Sequence, residues 1–431
     1  MSKLYDEKSI ESLSPLEFTR LRPGVYAGDT TYSTQLLIEI FSNAVDEWRL
    51  GHGSQIDTTI NGDIIKVRDY GQGFIPNSFR EDGKTILEAA FSVLNTSGKY
   101  REDGTYEGTS LGSFGIGSKI TTYLSHWLEV CTCRDGQQEH IKFVEGVFEK
   151  RATSKVTNNV PTGTLVEWQP SEEFFKNTTV EINVIKTLFK TVSCLCPGLI
   201  INLDDNGTKT TYQSKYGLND LVDDAVKGKE ILKNRLSINF EEGKNKLDLV
   251  MTYTSNYSST IVPYVNTGLT ETGPHITQLK TALTREMNKF FREKKWLKEK
   301  DENLTGDDIQ EGMYMVFNYT APSVSYDAQV KSRITSIDTK PAVAAFVEAL
   351  NLWLEVNEKE VKNIADKAIN ARKAREAAKK ARDNARGKAE KKTVLKLPSK
   401  LADCWSKDRS KCEIFIVEGM PELNCPSYLT Y

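Results

Sequence analysis

The sequence has little histidine and no regular cysteine pattern. Only 4 histidines and 7 cysteines occur among 431 residues, and no pair of cysteines has C-x2-C spacing. A structural zinc site needs clustered thiolate or imidazole ligands, so the composition argues against one. An odd number of irregularly spaced cysteines is typical of free thiols in a reducing compartment. We therefore expect a cytoplasmic protein.

Long apolar runs and an excess of one charge are also missing. The N-terminal segment MSKLYDEKSIES is polar and lacks the apolar core of a signal peptide. No uncharged run approaches the length that crosses a bilayer, so no membrane association is expected. The formal net charge of -2 is close to neutral and by itself indicates no partner.

The chain is long enough for two or three domains. Residues 1–210 mix helical and strand patterns. Residues 211–393 contain strand-like runs and then a long, alanine-rich helical stretch that starts near residue 341. Residues 394–431 contain one further strand pattern and a turn-rich tail. Mixed patterns of this kind indicate an α+β fold.

Residues 36–48 form the first chemically informative pattern. Their apolar side chains recur at helical spacing, which predicts an amphipathic helix. Glu39, Asn43, Asp46 and Glu47 lie along the opposite face of that helix. A carboxylate followed one turn later by an amide suits a site where the carboxylate orients water and the amide oxygen binds Mg²⁺. The alternative is a solvated polar face.

A predicted hairpin with its turn at Asn61-Gly62 leads into the segment DYGQGF. Asp69 ends the second strand, where its carboxylate could accept a hydrogen bond from an exocyclic amine such as that of adenine. Gly71 and Gly73 would let the backbone approach a flat ring closely. Taken alone, the D-x-G-x-G pattern also occurs in ordinary turns.

A second glycine segment, GSFGIGSK, covers residues 112–119 and opens a helical pattern. Free backbone N–H groups at such a position can bind phosphate. The order of Ser118 and Lys119 is reversed relative to a P-loop, so the segment is either another kind of phosphate-binding loop or a flexible lid. Thr164, in a T-G-T just before a later strand pattern, adds a small hydroxyl.

In their order along the chain, these motifs resemble the Bergerat-fold (GHKL) ATPases. The segments SPLEFTRLRPGVYAGD, ALTREMNKFF, LTGDDIQEGM and YDAQVKSRIT further resemble blocks of the gyrase B and topoisomerase IV B subunits. The resemblance implies a Bergerat α/β sandwich with an N-terminal dimer arm in residues 1–210. It also implies a transducer domain of ribosomal protein S5-like fold, with a long basic C-terminal helix, in residues 211–393.

The resemblance assigns roles to residues at matching positions. Glu39 would be the general base that activates water, and Asn43 would bind the Mg²⁺ that accompanies ATP. Asp69 would hold the adenine amine, with help from Thr164. The further nucleotide contacts that it implies are Asp46, Glu47, Gly71, Gly73, Lys99, Gly112, Ser113, Phe114, Gly115, Ile116, Gly117 and Ser118.

Other implied contacts come from elsewhere in the ATPase and transducer regions. Gln329 and Lys331 match a Q-x-K loop in which the lysine contacts the γ-phosphate, so both are expected to be catalytic. Tyr5 matches an arm tyrosine that reaches the nucleotide of the other protomer, which implies a homodimer. Arg134 would pair with Glu47 near the adenine.

The C-terminal end resembles the beginning of a metal-binding TOPRIM domain. LPSKLADCWSKDRSKCEIFIVEG contains Glu418, one ligand of that domain's Mg²⁺ site, but Met420-Pro421 follow where the family continues D-S-A-G-G. One carboxylate cannot build such a site. We therefore expect residues 394–431 to be a truncated TOPRIM beginning. Three explanations for this end stay open: a split gene, sequence read past an interruption, or an engineered end. Gln72 stands where bacterial relatives usually carry arginine, and this difference would suit a phage protein.

The function implied is that of the ATP-operated gate of a type II DNA topoisomerase. ATP binding would close a homodimer around double-stranded DNA, and hydrolysis would reset it. A partner A-type subunit would cleave DNA and, if the gene is split, a separate fragment would carry TOPRIM. The alternatives are a truncated, non-cleaving regulator and another GHKL ATPase such as a MutL-like clamp or a chaperone.

The basic helical stretch predicts a salt-sensitive, sequence-independent contact with duplex DNA. Its cationic residues are Arg372, Lys373, Arg375, Lys379, Lys380, Arg382, Arg386, Lys388, Lys391 and Lys392. Reversing the charges of Lys379, Lys380 and Arg382 should weaken binding and reduce the slope of log affinity against log salt by about 2 to 3. Filter binding measures both quantities. If neither changes, the stretch is only a solvated helix surface.

Overall fold

In the computed structural model, the predicted hairpin lies at the centre of an eight-stranded sheet. Its strands β1 (Gln55–Asn61) and β2 (Ile64–Asp69) pair antiparallel, so the turn residues are Gly62 and Asp63, one position later than predicted. Gly62 has a positive φ of 62°, which glycine adopts at no steric cost. Buried and partly exposed side chains alternate along both strands, as on a sheet with one covered face.

The structure describes residues 13–94, 96, 115–156, 160–327, 332–392 and 408–411. Residues up to Ala368 belong to one compact unit, and residues from Ile369 onward belong to a second. The described part of the second unit is the end of a long helix and a 3-10 turn at Arg409–Lys411. In the described ranges, no helix combines the length and the apolarity that a membrane crossing requires.

The first sheet has the strand order β5-β4-β3-β6-β2-β1-β7-β8. Its other strands are β3 (Ser125–Arg134), β4 (Gln137–Val144), β5 (Val147–Lys155), β6 (Gly163–Pro170), β7 (Ile200–Asp205) and β8 (Thr208–Tyr212). β1 and β7 run parallel, and the other neighbouring pairs of this sheet are antiparallel.

Helices pack on this sheet and on one another. They are α1 (Pro15–Leu21), α2 (Pro23–Ala27), α3 (Thr34–Arg49), α4 (Ile86–Ser92), α5 (Gly117–Tyr123) and α6 (Ile182–Leu195). The helix predicted over residues 36–48 is therefore confirmed as α3, which packs on β1 and β2. Phe41 of α3 and Phe189 of α6 are buried against each other, with ring centroids 4.4 Å apart.

The second sheet is five-stranded, with the order β12-β11-β13-β10-β9. Its strands are β9 (Leu236–Glu242), β10 (Asn245–Tyr253), β11 (Thr260–Val265), β12 (Gly268–Leu269) and β13 (Met313–Thr320), and a separate pair consists of β14 (Val324–Tyr326) and β15 (Ile334–Ile337). The helices of this part are α7 (Leu218–Val226), α8 (Pro274–Glu293), α9 (Gly306–Gln310) and α10 (Lys340–Val356). Two sheets with packed helices confirm the predicted α+β class.

The helical stretch predicted from residue 341 is two helices instead of one. Asn357 separates α10 from α11 (Glu358–Lys392). The side chain of Asn357 donates to Trp353 O at 2.9 Å and accepts from Asn234 Nδ2 at 3.0 Å. A side-chain amide that bonds the backbone of the preceding turn competes with continuation of the helix. Because Asn234 belongs to a distant segment, composition alone does not reveal this break.

The ion pair between Arg235 and Glu230 predicts a difference in stability. Arg235 donates from Nε and Nη2 to the two carboxylate oxygens of Glu230, both at 2.8 Å, and the two side chains are only 17% and 18% exposed. Arg235→Met leaves that carboxylate without its cation and should lower the free energy of unfolding by about 3 kcal/mol. Lys246→Met, which breaks an exposed pair with Glu241, should cost less than about 1 kcal/mol. Urea denaturation measures both, and equal losses would contradict this account.

Candidate functional site

Helix α3 carries four of the predicted site residues and is packed on almost every side. Its buried apolar residues are Leu36, Leu37, Ile40, Phe41, Ala44 and Val45. On the remaining face, Glu39, Asn43 and Glu47 are half-buried, and Asp46 is only 1% exposed. A solvated face would leave such side chains fully in water, so their burial argues against that alternative for this helix.

The carboxylate of Glu39 lies against the beginning of α5. Gln35 donates from Nε2 to Glu39 Oε1 at 2.8 Å. A Cβ atom built at Gly117, the first residue of α5, would lie 2.1 Å from Glu39 Oε2. A side chain at Gly117 would therefore require the Glu39 carboxylate to move, and the backbone can come this close to it because the residue is glycine.

Asp69 is a buried carboxylate at the end of β2. Its Oδ1 accepts hydrogen bonds from Gly71 N at 2.9 Å and from Thr164 N at 3.1 Å. Burial raises the pKa of Asp69 to about 6; these two bonds act in the opposite direction, and the nearby Glu47 adds to the rise. Because Oδ1 already has two donors, Oδ2 is the oxygen that can accept from a ligand.

Gly71 and Gly73 bring the chain after β2 against neighbouring elements. A Cβ atom at Gly71 would lie 2.8 Å from Glu47 Oε2, and one at Gly73 would lie 2.8 Å from Cys133 O. Gln72 N also donates to Glu47 Oε2, at 3.2 Å. The D-x-G-x-G turn is thus pressed between α3 and β3, which an ordinary surface turn would not require.

Thr132, which the sequence interpretation missed, fastens this turn to β3. Its side chain is fully buried, and its Oγ1 accepts from Phe74 N at 2.8 Å. The same hydroxyl donates to Gly163 O at 3.4 Å, next to Thr164. Threonine is common in strands, so nothing in the local sequence distinguishes this residue.

The predicted pairing of Arg134 with Glu47 is not what the structure contains. Arg134 lies at the end of β3, where its Nη1 donates to Gly73 O at 3.4 Å and its Nε lies 3.6 Å from Asp135 Oδ2. The turn that follows β3 brings Asp135 next to Arg134. The Glu47 carboxylate instead accepts a hydrogen bond from the backbone N–H of Gln72. Arg134 still contacts the D-x-G-x-G turn.

The side chains of α5 bond to the backbone of α4 and of the chain that follows it. Ser118 donates to Ala90 O at 2.8 Å, and Tyr123 donates to Ser92 O at 2.5 Å. Lys119 is 3% exposed and donates to Thr96 O at 2.7 Å, and burial lowers the pKa of Lys119 to about 8. These bonds fix the start of α5, and with it Gly115, Ile116 and Gly117, beside the site.

Several predicted site residues lie outside the described residues, and their roles stay predictions. They are Tyr5, Lys99, Gly112, Ser113, Phe114, Gln329, Lys331 and Glu418. Within the described ranges, no group of three or more His, Cys, Asp or Glu side chains is placed to hold a metal ion. The predicted metal role of Asn43 is also untested.

The sequence is similar to those of known proteins. A family described as DNA gyrase B matches residues 217–384. The chain is 34% identical over 435 residues to the B subunit of DNA gyrase from Thermotoga maritima, which covers 96% of this chain and 67% of that protein. It is 34% identical over 425 residues to the B subunit of DNA topoisomerase 4 from Bacillus subtilis, with 96% and 64% covered. The chain thus spans about two thirds of the length of these relatives.

The fold is also similar to a solved structure. The 43K ATPase domain of Thermus thermophilus gyrase B, in complex with an aminocoumarin, matches with a TM-score of 0.68 and 27% sequence identity. The match covers 85% of this chain and 97% of that one. At this coverage the similarity extends beyond the eight-stranded sheet into the region of the second sheet.

The raised pKa of Asp69 predicts a pH dependence of stability. In the unfolded chain the carboxyl ionises near its ordinary value of 3.8, whereas in the folded protein it stays protonated up to about pH 6. Between these values the folded state binds more protons, so the free energy of unfolding should fall as pH rises, by about 2–3 kcal/mol in total. Asp69→Asn should remove this part of the decline.

Chemical denaturation from pH 4 to 7 measures the effect. Asp135→Asn is the matched control, because that side chain is 86% exposed, and this variant should retain the decline. Identical pH profiles for Asp69→Asn and the wild type would contradict the burial argument.

Proposed function

The chain belongs to the family of DNA gyrase and topoisomerase IV B subunits, and from that membership we propose that it is the ATP-hydrolysing gate of a type II DNA topoisomerase. Its own activity is the binding and hydrolysis of ATP. Strand passage is the activity of the assembly that this chain would form with an A-type subunit and DNA. The alternatives, a MutL-like clamp and a non-enzymatic regulator, gain no support from this membership.

The observation that carries the proposal is the convergence of three distant motifs on α3 and β2. Gly117 lies against Glu39, Gly71 lies against Glu47, and Asp69 accepts from the backbone of Thr164. The fold thus places carboxylates next to closely packed backbone, although the residues involved, from Glu39 to Thr164, are more than one hundred positions apart in sequence. A nucleotide needs both features, namely polar groups for its base and N–H donors for its phosphates.

The buried carboxylate of Asp69 suits the base of the nucleotide. Its free Oδ2 can accept a hydrogen bond from the exocyclic amine of adenine, while Gly71 and Thr164 hold the other oxygen. A base without an amine at that position would leave a buried acceptor without a donor, which costs about 1–3 kcal/mol. Asp69 therefore selects adenine, and Gly73 keeps the wall beside the ring free of side chains.

Glu39 is the group that activates water for attack on the γ-phosphate. Gln35 fixes one of its oxygens at 2.8 Å, and the backbone at Gly117 lies beside the other. A carboxylate held in this way can accept a proton from a water molecule next to the phosphates. Asp46 and Glu47, on the same helix, complete the polar side of the nucleotide site.

Asn43 supplies an amide oxygen one turn after Glu39, and oxygen donors are the ligands that Mg²⁺ prefers. When bound, Mg²⁺ neutralises charge on the phosphates. Ser118 and Lys119 lie at the start of α5. For Gly112, Ser113, Phe114 and Lys99 the proposal rests on the family motifs alone, which give all four the role of phosphate contacts.

The remaining contacts come from the transducer and from a second protomer. Gln329 and Lys331 contact the γ-phosphate, and the lysine stabilises the charge that develops on the transferred group. Tyr5 reaches the nucleotide of the partner protomer, so the site is complete in a closed homodimer. Double-stranded DNA is captured by that dimer, and an A-type subunit cleaves it.

Glu39→Ala tests the proposal directly. ATP turnover should fall at least about 100-fold, because a general base contributes that much or more. The affinity for a non-hydrolysable ATP analogue should stay within about threefold, since Asp69 and the glycine segments are unchanged. Phosphate release and calorimetric binding measure the two quantities.

Glu348→Ala, an exposed glutamate of helix α10, is the matched control and should leave both quantities unchanged. Turnover in Glu39→Ala equal to the wild type would overturn the role of Glu39. Absence of any turnover in the wild type, with analogue binding retained, would favour the non-enzymatic regulator.

A further inference from the structure

Arg49, the last residue of α3, connects the catalytic helix to the second sheet. Its Nη1 donates to Asn266 O at 2.8 Å, across 217 positions of sequence. Resting on the proposed function, we propose that Arg49 is a positioning residue for ATP hydrolysis. It fixes α3 relative to the turn at Asn266 and, through that turn, relative to the end of β13.

The turn that receives Arg49 is a rigid element. Asn266 and Thr267 join β11 to β12 as a two-residue loop, and both have positive φ, 52° and 66°. Threonine is β-branched and rarely adopts this conformation, so the loop must be held by its surroundings. Asn266 N donates to Tyr319 O at 3.1 Å, and Thr267 N donates to Asn318 Oδ1 at 3.1 Å.

The same turn is hydrogen-bonded to Ala321, which lies just after the end of β13. The Asn266 side chain donates to Ala321 O at 3.2 Å and accepts from Ala321 N at 3.1 Å, and both residues are buried. The Asn266 carbonyl also accepts from Thr267 Oγ1 at 2.6 Å. With Arg49 as its second donor, that oxygen has both of its acceptor positions filled.

The surroundings of Arg49 extend this connection to β14. Asp46, one turn back on α3, and Tyr326, the last residue of β14, both lie close enough to interact with its charge, as does Cys196. Burial lowers the pKa of Arg49, and these three groups oppose that shift.

Beyond Tyr326 the sequence runs toward Gln329 and Lys331, which lie outside the described residues. Because the turn at Asn266 is bonded to the end of β13, a displacement of β13 relative to α3 must break the bond of Arg49 or move the helix that carries Glu39. Coupling between two sites travels through contiguous contacts of this kind. Arg49 thereby sets the position of the water-activating carboxylate relative to the strands that precede the Q-x-K segment.

The test is the full chain with Arg49→Met, which keeps the length of the side chain and removes its donors. The kcat for ATP should fall about tenfold, while the affinity for a non-hydrolysable analogue stays within about twofold, because no group at the nucleotide is removed. Arg49→Lys retains the charge and one donor, and it should recover part of the loss. Should Arg49→Met fail to fold, the lysine variant alone carries the measurement.

Arg80→Met is the matched control, since Arg80 is exposed and pairs with Asp82 alone among the described residues, and it should leave kcat unchanged. A double-mutant cycle with Lys331→Ala distinguishes two roles of Arg49. In one, Arg49 positions Glu39 relative to the Q-x-K segment; in the other, it only stabilises α3. If Arg49 acts toward the Q-x-K segment, its substitution should lower kcat less than about twofold in the Lys331→Ala background.

Equal losses in both backgrounds, or a parallel loss of analogue affinity, would overturn the positioning role. Normal turnover in Arg49→Met would do the same while leaving the proposed function intact. A wild-type protein that binds the analogue but never hydrolyses ATP would overturn the proposed function itself, and the role of Arg49 with it.

Discussion

Helix α3 packs an apolar face on the sheet and carries the four polar side chains of the candidate site on another face. Its apolar residues pack on β1 and β2, while Glu39, Asn43, Asp46 and Glu47 are half-buried or buried on the remaining side. Polar groups removed from water are costly unless they have partners. The elements around this helix are accordingly arranged to supply them.

Neighbouring backbone comes close to the carboxylates of this helix, and this explains where glycine occurs. Gly117 and Gly71 stand where a Cβ atom would collide with the carboxylates of Glu39 and Glu47. Asp69 takes two backbone donors but is buried enough that its pKa still rises to about 6. A carboxylate that is costly to ionise without a ligand gains most from a donor that a ligand brings. A ligand that donates a hydrogen bond to Asp69 would therefore stabilise the ionised form of this carboxylate.

Local patterns in the sequence were sufficient for α3 and for the β1–β2 hairpin. The periodicity of residues 36–48 predicts α3, and the glycine at position 62 places the hairpin turn within one residue. Both signals arise from contacts between near neighbours, whose geometry the backbone dictates. The break at Asn357 and the partner of Arg134 were not predictable in this way, because a distant segment or a competing backbone group decides each of them.

By itself the sequence determined the α+β class, the family, elements such as α3 and the β1–β2 hairpin, and the residues Glu39, Asn43 and Asp69 as candidates, since spacing and residue chemistry are local properties. Only the tertiary structure revealed how far Glu39 and Asn43 are buried and that Thr132 fastens the turn beside Asp69. It alone also revealed that Arg49 reaches Asn266. Burial and hydrogen bonds between residues far apart in sequence depend on how whole elements pack, and no local pattern encodes that arrangement.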